Sequence, residues 1–179
     1  MVLATRRHSG ERRNSQTNML IRIATTADFA HLLRLNEESV HFLSPLTPER
    51  LELLFNEAAY CRVLEADGEV VAFLLAFREG CIYDSPNYRW FVTHYARFLY
   101  VDRVVVSTAF QGQGAGKLLY DDIFSFARQS GVEYLTCEFD IDPPNEGSRR
   151  FHQRYGFAEV GTQQVADGKK RVSLQAVRL

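Results

Sequence analysis

The stretch FLYVDRVVVSTAFQGQGAGKLLYDDI (98–123) decides the fold. Residues 98–107 are rich in β-branched and aromatic side chains, the composition of a strand. From residue 117 the pattern changes: Leu119, Ile123, Phe126 and Ala127 recur at helical spacing, and Gly131 stops the run. Between the two lies QGQGAG (111–116), with glycine at every second position, where the backbone must approach something closely. A strand, a glycine turn and an amphipathic helix in that order are one unit of an α/β domain.

Working outward, LIRIA (20–24) reads as a strand, and Thr26 or Asp28 caps a helix carrying Phe29, Leu32, Leu33 and Leu35. Pro48 opens a second helix over 49–59. Two strands flank the Asp67-Gly68 pair, a strong hairpin signal, and residues 132–140 form another strand. A short helix runs from DPPN (142–145) to Tyr155, and a closing hairpin crosses Asp167-Gly168. The expected order is β-α-α-β-β-β-α-β-α-β-β, an α/β (α+β) domain with a mixed, mostly antiparallel sheet flanked by helices. Residues 80–97 are long for a hairpin loop; they are functional or hold a helix of their own.

The chain has 179 residues and 46% hydrophobic content, enough for one core. Its net charge of −1 is uneven: Arg6, Arg7, Arg12 and Arg13 against Glu11 make residues 1–18 net +3 and leave −4 on the remainder. That balance argues against a nucleic-acid-binding core. Residues 1–18 are expected to be a disordered basic extension, with the folded domain at 19–179. Cys61, Cys81 and Cys137 are widely spaced, which fits reduced thiols in the cytoplasm and neither a disulfide frame nor a metal site. No apolar run is long enough to span a membrane.

Glycine-rich loops cradle phosphates in several ways. The G-x-x-x-x-G-K-[ST] template needs glycine at 111 and Ser or Thr at 118, where Gln111 and Leu118 stand. The G-x-G-x-x-G template started at Gly112 needs glycine at 117 and meets Lys117. A third, Q/R-x-x-G-x-G/A between strand and helix, is matched by Gln111, Gly114 and Gly116. A second segment, NEGSRRFHQRYGF (145–157), fits N-x-x-(small)-x-x-h-x-x-x-h-G-F through Asn145, Ser148, Phe151 and Gly156-Phe157. With these two segments in register, the chain from residue 19 to 179 resembles the GNAT superfamily of acyl-CoA-dependent N-acyltransferases. YDSPN (83–87) and FLYVDRVVV (98–106) resemble a bacterial branch of it.

The resemblance implies acetyl-CoA as cofactor and direct attack of a primary amine on the thioester. It implies that Gln111, Gly112, Gln113, Gly114, Ala115, Gly116 and Lys117 wrap the pyrophosphate through backbone amides at a helix start. Val104, Val105 and Val106 would hold the pantetheine arm and offer an amide to the thioester oxygen; Asn145 and Ser148 complete the cofactor side. Counting from Asn145, the position of the family's usual tyrosine acid is His152, with Tyr155 three residues on. His152 is equally readable as a packing histidine satisfied by a backbone carbonyl, and Tyr155 as core. If His152 is the acid, kcat falls across neutral pH unless a carboxylate raises its pKa.

For a general base, Asp102 is the best-placed carboxylate, two residues before Val104 and so on its strand face; Glu38 and Glu138 are fallbacks, and an ion-pair role for Asp102 competes. Glu38, Tyr83, Tyr88 and Trp90 are the candidate acceptor-site residues, with core or dimer packing as the alternative for the aromatics. The implied function is a cytoplasmic N-acetyltransferase acting on a small-molecule or peptide amine. A catalytically idle acyl-CoA-binding module is the alternative, and homodimers are common for such folds.

Overall fold

The computed structural model describes residues 18–41 and 43–179. The expected extension at 1–18 therefore lies outside the described residues, apart from Asn18. Seven strands and five α-helices follow one another: β1 (Met19–Ile23), α1 (Phe29–Glu37), α2 (Pro48–Glu57), β2 (Tyr60–Ala66), β3 (Glu69–Arg78), α3 (Pro86–His94), β4 (Phe98–Val106), α4 (Ala115–Gln129), β5 (Tyr134–Asp142), α5 (Glu146–Arg154), β6 (Ala158–Val165) and β7 (Lys170–Arg178).

The element absent from the expected order is α3. Residues 80–97 hold a helix because Ser85 caps it, its side chain accepting from the Tyr88 amide, and Pro86 occupies the first turn. The remaining elements follow the expected sequence. Asp67 and Gly68 both take positive φ in the β2–β3 turn, the conformation such a hairpin requires.

The strands form one sheet in the order β1-β2-β3-β4-β5-β7-β6. Every pair is antiparallel except β4 with β5. The strand β3 is buried through both faces because helices cover both sides. On one side α4 lays Leu119, Ile123 and Ala127 against Leu64, Leu74, Leu99 and Val101. On the other, Leu32, Leu35, Leu51, Leu54 and Phe91 pack on Phe73, Leu75, Phe77, Tyr100 and Val105.

Two irregularities in β4 open the sheet. Its parallel ladder with β5 covers only Phe98–Tyr100 against Tyr134–Thr136, although β4 runs on to Val106 and β5 to Asp142. Past Tyr100 the β5-facing edge of β4 has no strand against it. Leu75 pairs with Arg103 and Ala76 with Val101, so Asp102 is the extra residue of a bulge. The bulge resets the alternation. Val104 packs in the α4-side core, whereas Asp102 turns to the α1–α3 side with Arg103. Regular alternation would have put Asp102 and Val104 on one face; the inserted residue separates them.

Candidate active site

Where β4 and β5 part, a cleft of about 1020 Å³ passes through the sheet, bordered by β4, β5, the glycine loop, α4, α5 and the segment before α3. Its α4–α5 side begins at the end of β4. Gln111 folds back so that Nε2 donates to the Val106 carbonyl at 3.3 Å, tying the loop to the strand. Gly112 and Gly114 have φ of 76° and 87°, and Gly114 is the N-cap of α4. A Cβ at either would meet no atom of the protein within 4 Å, so the space beside the loop is open. Gly116 instead packs on the Phe151 ring, and this contact seats α4 against α5.

Among the described residues, no carbonyl or side chain receives the amides of Gly112, Gly114, Ala115, Gly116 or Lys117. Free amides at the start of a 15-residue helix favour an anion, and the unpaired edge of β4 suits an extended, amide-bearing chain. Lys117 pairs with Asp121 at 2.5 Å on the outer face, and the Gln113 amide caps the Ala109 carbonyl. The anion-binding capacity therefore resides in the backbone.

His152 is 4% exposed in the wall of the cleft. Its Nδ1 lies 2.7 Å from the Ser148 carbonyl, which can only accept, so Nδ1 carries the hydrogen. Nε2 then accepts from the Tyr120 hydroxyl at 2.6 Å. Burial holds the imidazole below its ordinary pKa, partly offset by the Ser148 carbonyl, so His152 is neutral at pH 7. Burial pushes the Tyr120 phenol well above its usual value, and it stays protonated. Asn145 caps α5, accepting from the Ser148 amide at 3.0 Å, and so aligns the turn that holds Nδ1. Tyr155 faces elsewhere: its hydroxyl donates to Asp121 and to the Lys117 carbonyl on the outer face of α4.

On the α1–α3 side, both Asp102 oxygens are engaged. One receives the Tyr83 hydroxyl and the other Arg103 Nε at 2.6 Å. Arg103 Nη1 continues to Asn36 Oδ1 at 2.8 Å, and Asn36 donates to the Ser44 carbonyl. This buried string ties α1 to the bulge of β4. Arg50 lies over the Tyr83 ring, 5.4 Å from its centroid. Deeper in, Glu138 receives the Tyr100 hydroxyl on Oε1 at 2.9 Å, while its buried Oε2 has no partner among the described residues. Burial, with Asp102 adding to it, pushes its pKa up to about 8.

The cleft thus gathers Asp102, His152, Val104, Val106, Gln111, Gly112, Gly116, Asn145, Ser148 and Tyr83. Val105 points into the opposite core. Tyr88 is 2% exposed and donates to the Arg78 carbonyl, while Trp90 lies against Gly161 of β6 and stacks on His94. Glu38 accepts from the Thr108 amide and pairs with Arg34, bracing the turn after β4. Tyr120 was not singled out from the sequence, and Glu138 only as a fallback. Glu138 shares its strand face with Thr136 and Asp140, so no apolar background marked it out in the sequence.

Comparison with known proteins places this geometry. The model of the acetyltransferase (GNAT) family matches residues 26–157. No curated protein sequence matches the chain significantly. Ard1 from Thermoplasma volcanium has a similar structure, with a TM-score of 0.72 at 19% identity over 90% of this chain and 97% of that one. The ribosomal-protein-S18-alanine N-acetyltransferase of Escherichia coli gives 0.70 at 16% identity, covering 90% and 94%. The ribosomal-protein-alanine N-acetyltransferase of Brucella melitensis gives 0.67 at 23%, covering 89% and 99%. These likenesses concern the fold. The family match spans most of the chain, and the protein is therefore a member of the acetyltransferase (GNAT) family and an N-acetyltransferase.

Proposed function

We propose that the protein transfers an acetyl group from acetyl-CoA to an amine of a small molecule or peptide, by direct attack of the nitrogen. Bound acetyl-CoA supplies the acetyl group as a thioester. The observation that carries this reading is the meeting, in one cleft, of the free amides at the start of α4, the unpaired edge of β4 and the Tyr120–His152 pair.

Gly112 through Lys117 would hold the pyrophosphate by backbone amides, and Val104 and Val106 would flank the arm along β4. His152 acts through Tyr120: neutral and locked by Ser148, it fixes the phenol, whose hydroxyl hydrogen is the pair's mobile proton beside the cleft. Tyr120 would turn its hydroxyl hydrogen from His152 Nε2 to the leaving sulfur and regain one released by the attacking nitrogen. Asp102, with both oxygens engaged, holds Tyr83 and Arg103 in the acceptor wall. Three free cysteines support a reducing, cytoplasmic setting, and no helix among the described residues is long and apolar enough to cross a membrane.

Free-thiol release from acetyl-CoA across a panel of amines, with mass detection of the acetylated product, tests the reading. Thiol release that depends on the amine is expected. Tight binding of CoA with no release above background on any amine would leave an acyl-CoA-binding module without catalysis. Binding of ATP in preference to CoA would overturn both.

A further inference from the structure

Four carboxylates border the α1–α3 side of the cleft: Asp84, Asp102, Glu138 and Asp140. Three already have a cation. Asp84 pairs with Arg50, Asp102 with Arg103 at 2.6 Å, and Asp140 with Lys170 at 3.0 Å. Those three cations are also the only Lys or Arg side chains among the described residues that line the cleft. Among the described residues Glu138 alone of the four has no cation, and its buried Oε2 has no hydrogen-bond partner. The groups around it are Tyr100 and Asp102 from β4, Tyr83 and Asn87 from the segment entering and opening α3, Cys137 and Asp140 from β5, and Tyr120 from α4. None supplies a positive charge; the Asn87 side chain lies beside Glu138 and holds its pKa down somewhat, while its own oxygen accepts from Gln163.

A buried acceptor atom left unpaired costs about 1–3 kcal/mol, and more for a charged group, so such an atom in a cleft wall awaits a donor. A carboxylate lacking a cation calls for a cationic donor.

Resting on the acetyl-transfer reading above, we infer that Glu138 receives the acceptor's ammonium group and takes its proton, and that the acceptor is an amine with a single positive charge and no carboxylate beside the reacting nitrogen. The second half follows from the same inventory. An α-carboxylate would enter a chamber where every cation is already held by a carboxylate and Glu138 would repel it. A second ammonium on the acceptor would find no further unpaired anion.

The proton balance is simple. Glu138 Oε2 takes one N–H proton from the ammonium, freeing the nitrogen lone pair to form the N–C bond. The C–S bond breaks with its electron pair on sulfur. The second proton lost by nitrogen balances the one Tyr120 delivers to sulfur, and Glu138 releases its own proton to solvent.

Three amines differing only in charge test the inference: pentylamine, norleucine, which adds an α-carboxylate, and cadaverine, which adds a second ammonium. Binding to the free protein by calorimetry at pH 9 is expected to favour pentylamine at least tenfold over norleucine and to show no gain for cadaverine. Glu138→Gln is expected to erase the preference over norleucine. It is also expected to remove a rise in kcat/KM that the wild type shows toward pH 8, which a merely structural glutamate would not produce. Norleucine bound as tightly as pentylamine by the wild type would overturn the inference whether or not the variant folds. Brisk thiol release with norleucine would do so too while leaving acetyl transfer standing. Conversely, the pentylamine preference in binding without thiol release would sink acetyl transfer and support Glu138 as the ammonium site.

Discussion

At the scale of single residues, the chemistry turns on which atom of His152 carries the hydrogen. The Ser148 carbonyl claims Nδ1–H, so Nε2 can only accept, and Tyr120 becomes the proton-bearing member of the pair. Tyr120→Phe removes one oxygen and no packing volume, so kcat is expected to fall roughly 10²-fold with KM for acetyl-CoA little changed. Steady-state kinetics check this, and an unchanged kcat would return the acid role to another group. Because the phenol stays protonated, wild-type kcat is not expected to decline between pH 7 and 9. A decline centred near neutral pH that disappears in His152→Ala would assign the proton to the imidazole instead. The register of NEGSRRFHQRYGF put His152, and not Tyr155, at the place of the family's usual acid, but it left both on the inward face of the helix. The partner of His152 lies 32 residues away on another helix, and no local spacing reports such a contact.

At the scale of elements, the glycine loop does two jobs that its three glycines divide. Gly112 and Gly114 occupy the left-handed region, and Gly116 lets α4 lie against Phe151. Gly114→Ala meets open space but must hold φ near 87°, which costs about 1–2 kcal/mol for a residue with a Cβ. We expect a lower Tm and a KM for acetyl-CoA raised several-fold, since the N-cap geometry that exposes the amides is the part strained. A Tm and KM both equal to wild type would show that the loop tolerates another conformation. Strand, loop and helix were readable here because period and glycine spacing are local signals. The bulge at Asp102 was not, because it exists only as a mismatch between β4 and β3. That one residue moves Asp102 from the Val104 face to the α1–α3 side.

For the molecule as a whole, burying Glu138 is a stability cost with a definite sign. Its folded pKa of about 8 lies above the unfolded value of 4.5, so the folded state binds the proton more tightly. Stability from this group is full below pH 4.5 and is lost as pH rises toward 8. Glu138→Gln is therefore expected to melt near the wild-type temperature at pH 5 and above it at pH 8, by about 2–4 °C per kcal/mol recovered. Equal melting temperatures at both pH values would contradict this. Asp28 works in the opposite sense: Arg22 holds it down to about 2, and its contribution is lost as pH falls from 4 toward 2. By itself the sequence determined the order of strands and helices other than α3, the glycine loop and the helix register at Asn145, because periodicity, turn chemistry and spacing act along the chain. Only the tertiary structure decided that β4 and β5 part after Tyr100, that Tyr120 meets His152, and that Glu138 alone of the four cleft carboxylates is left without a cation among the described residues. Each of these is a relation between surfaces far apart in sequence, set by packing and by the partners a buried polar group finds or lacks.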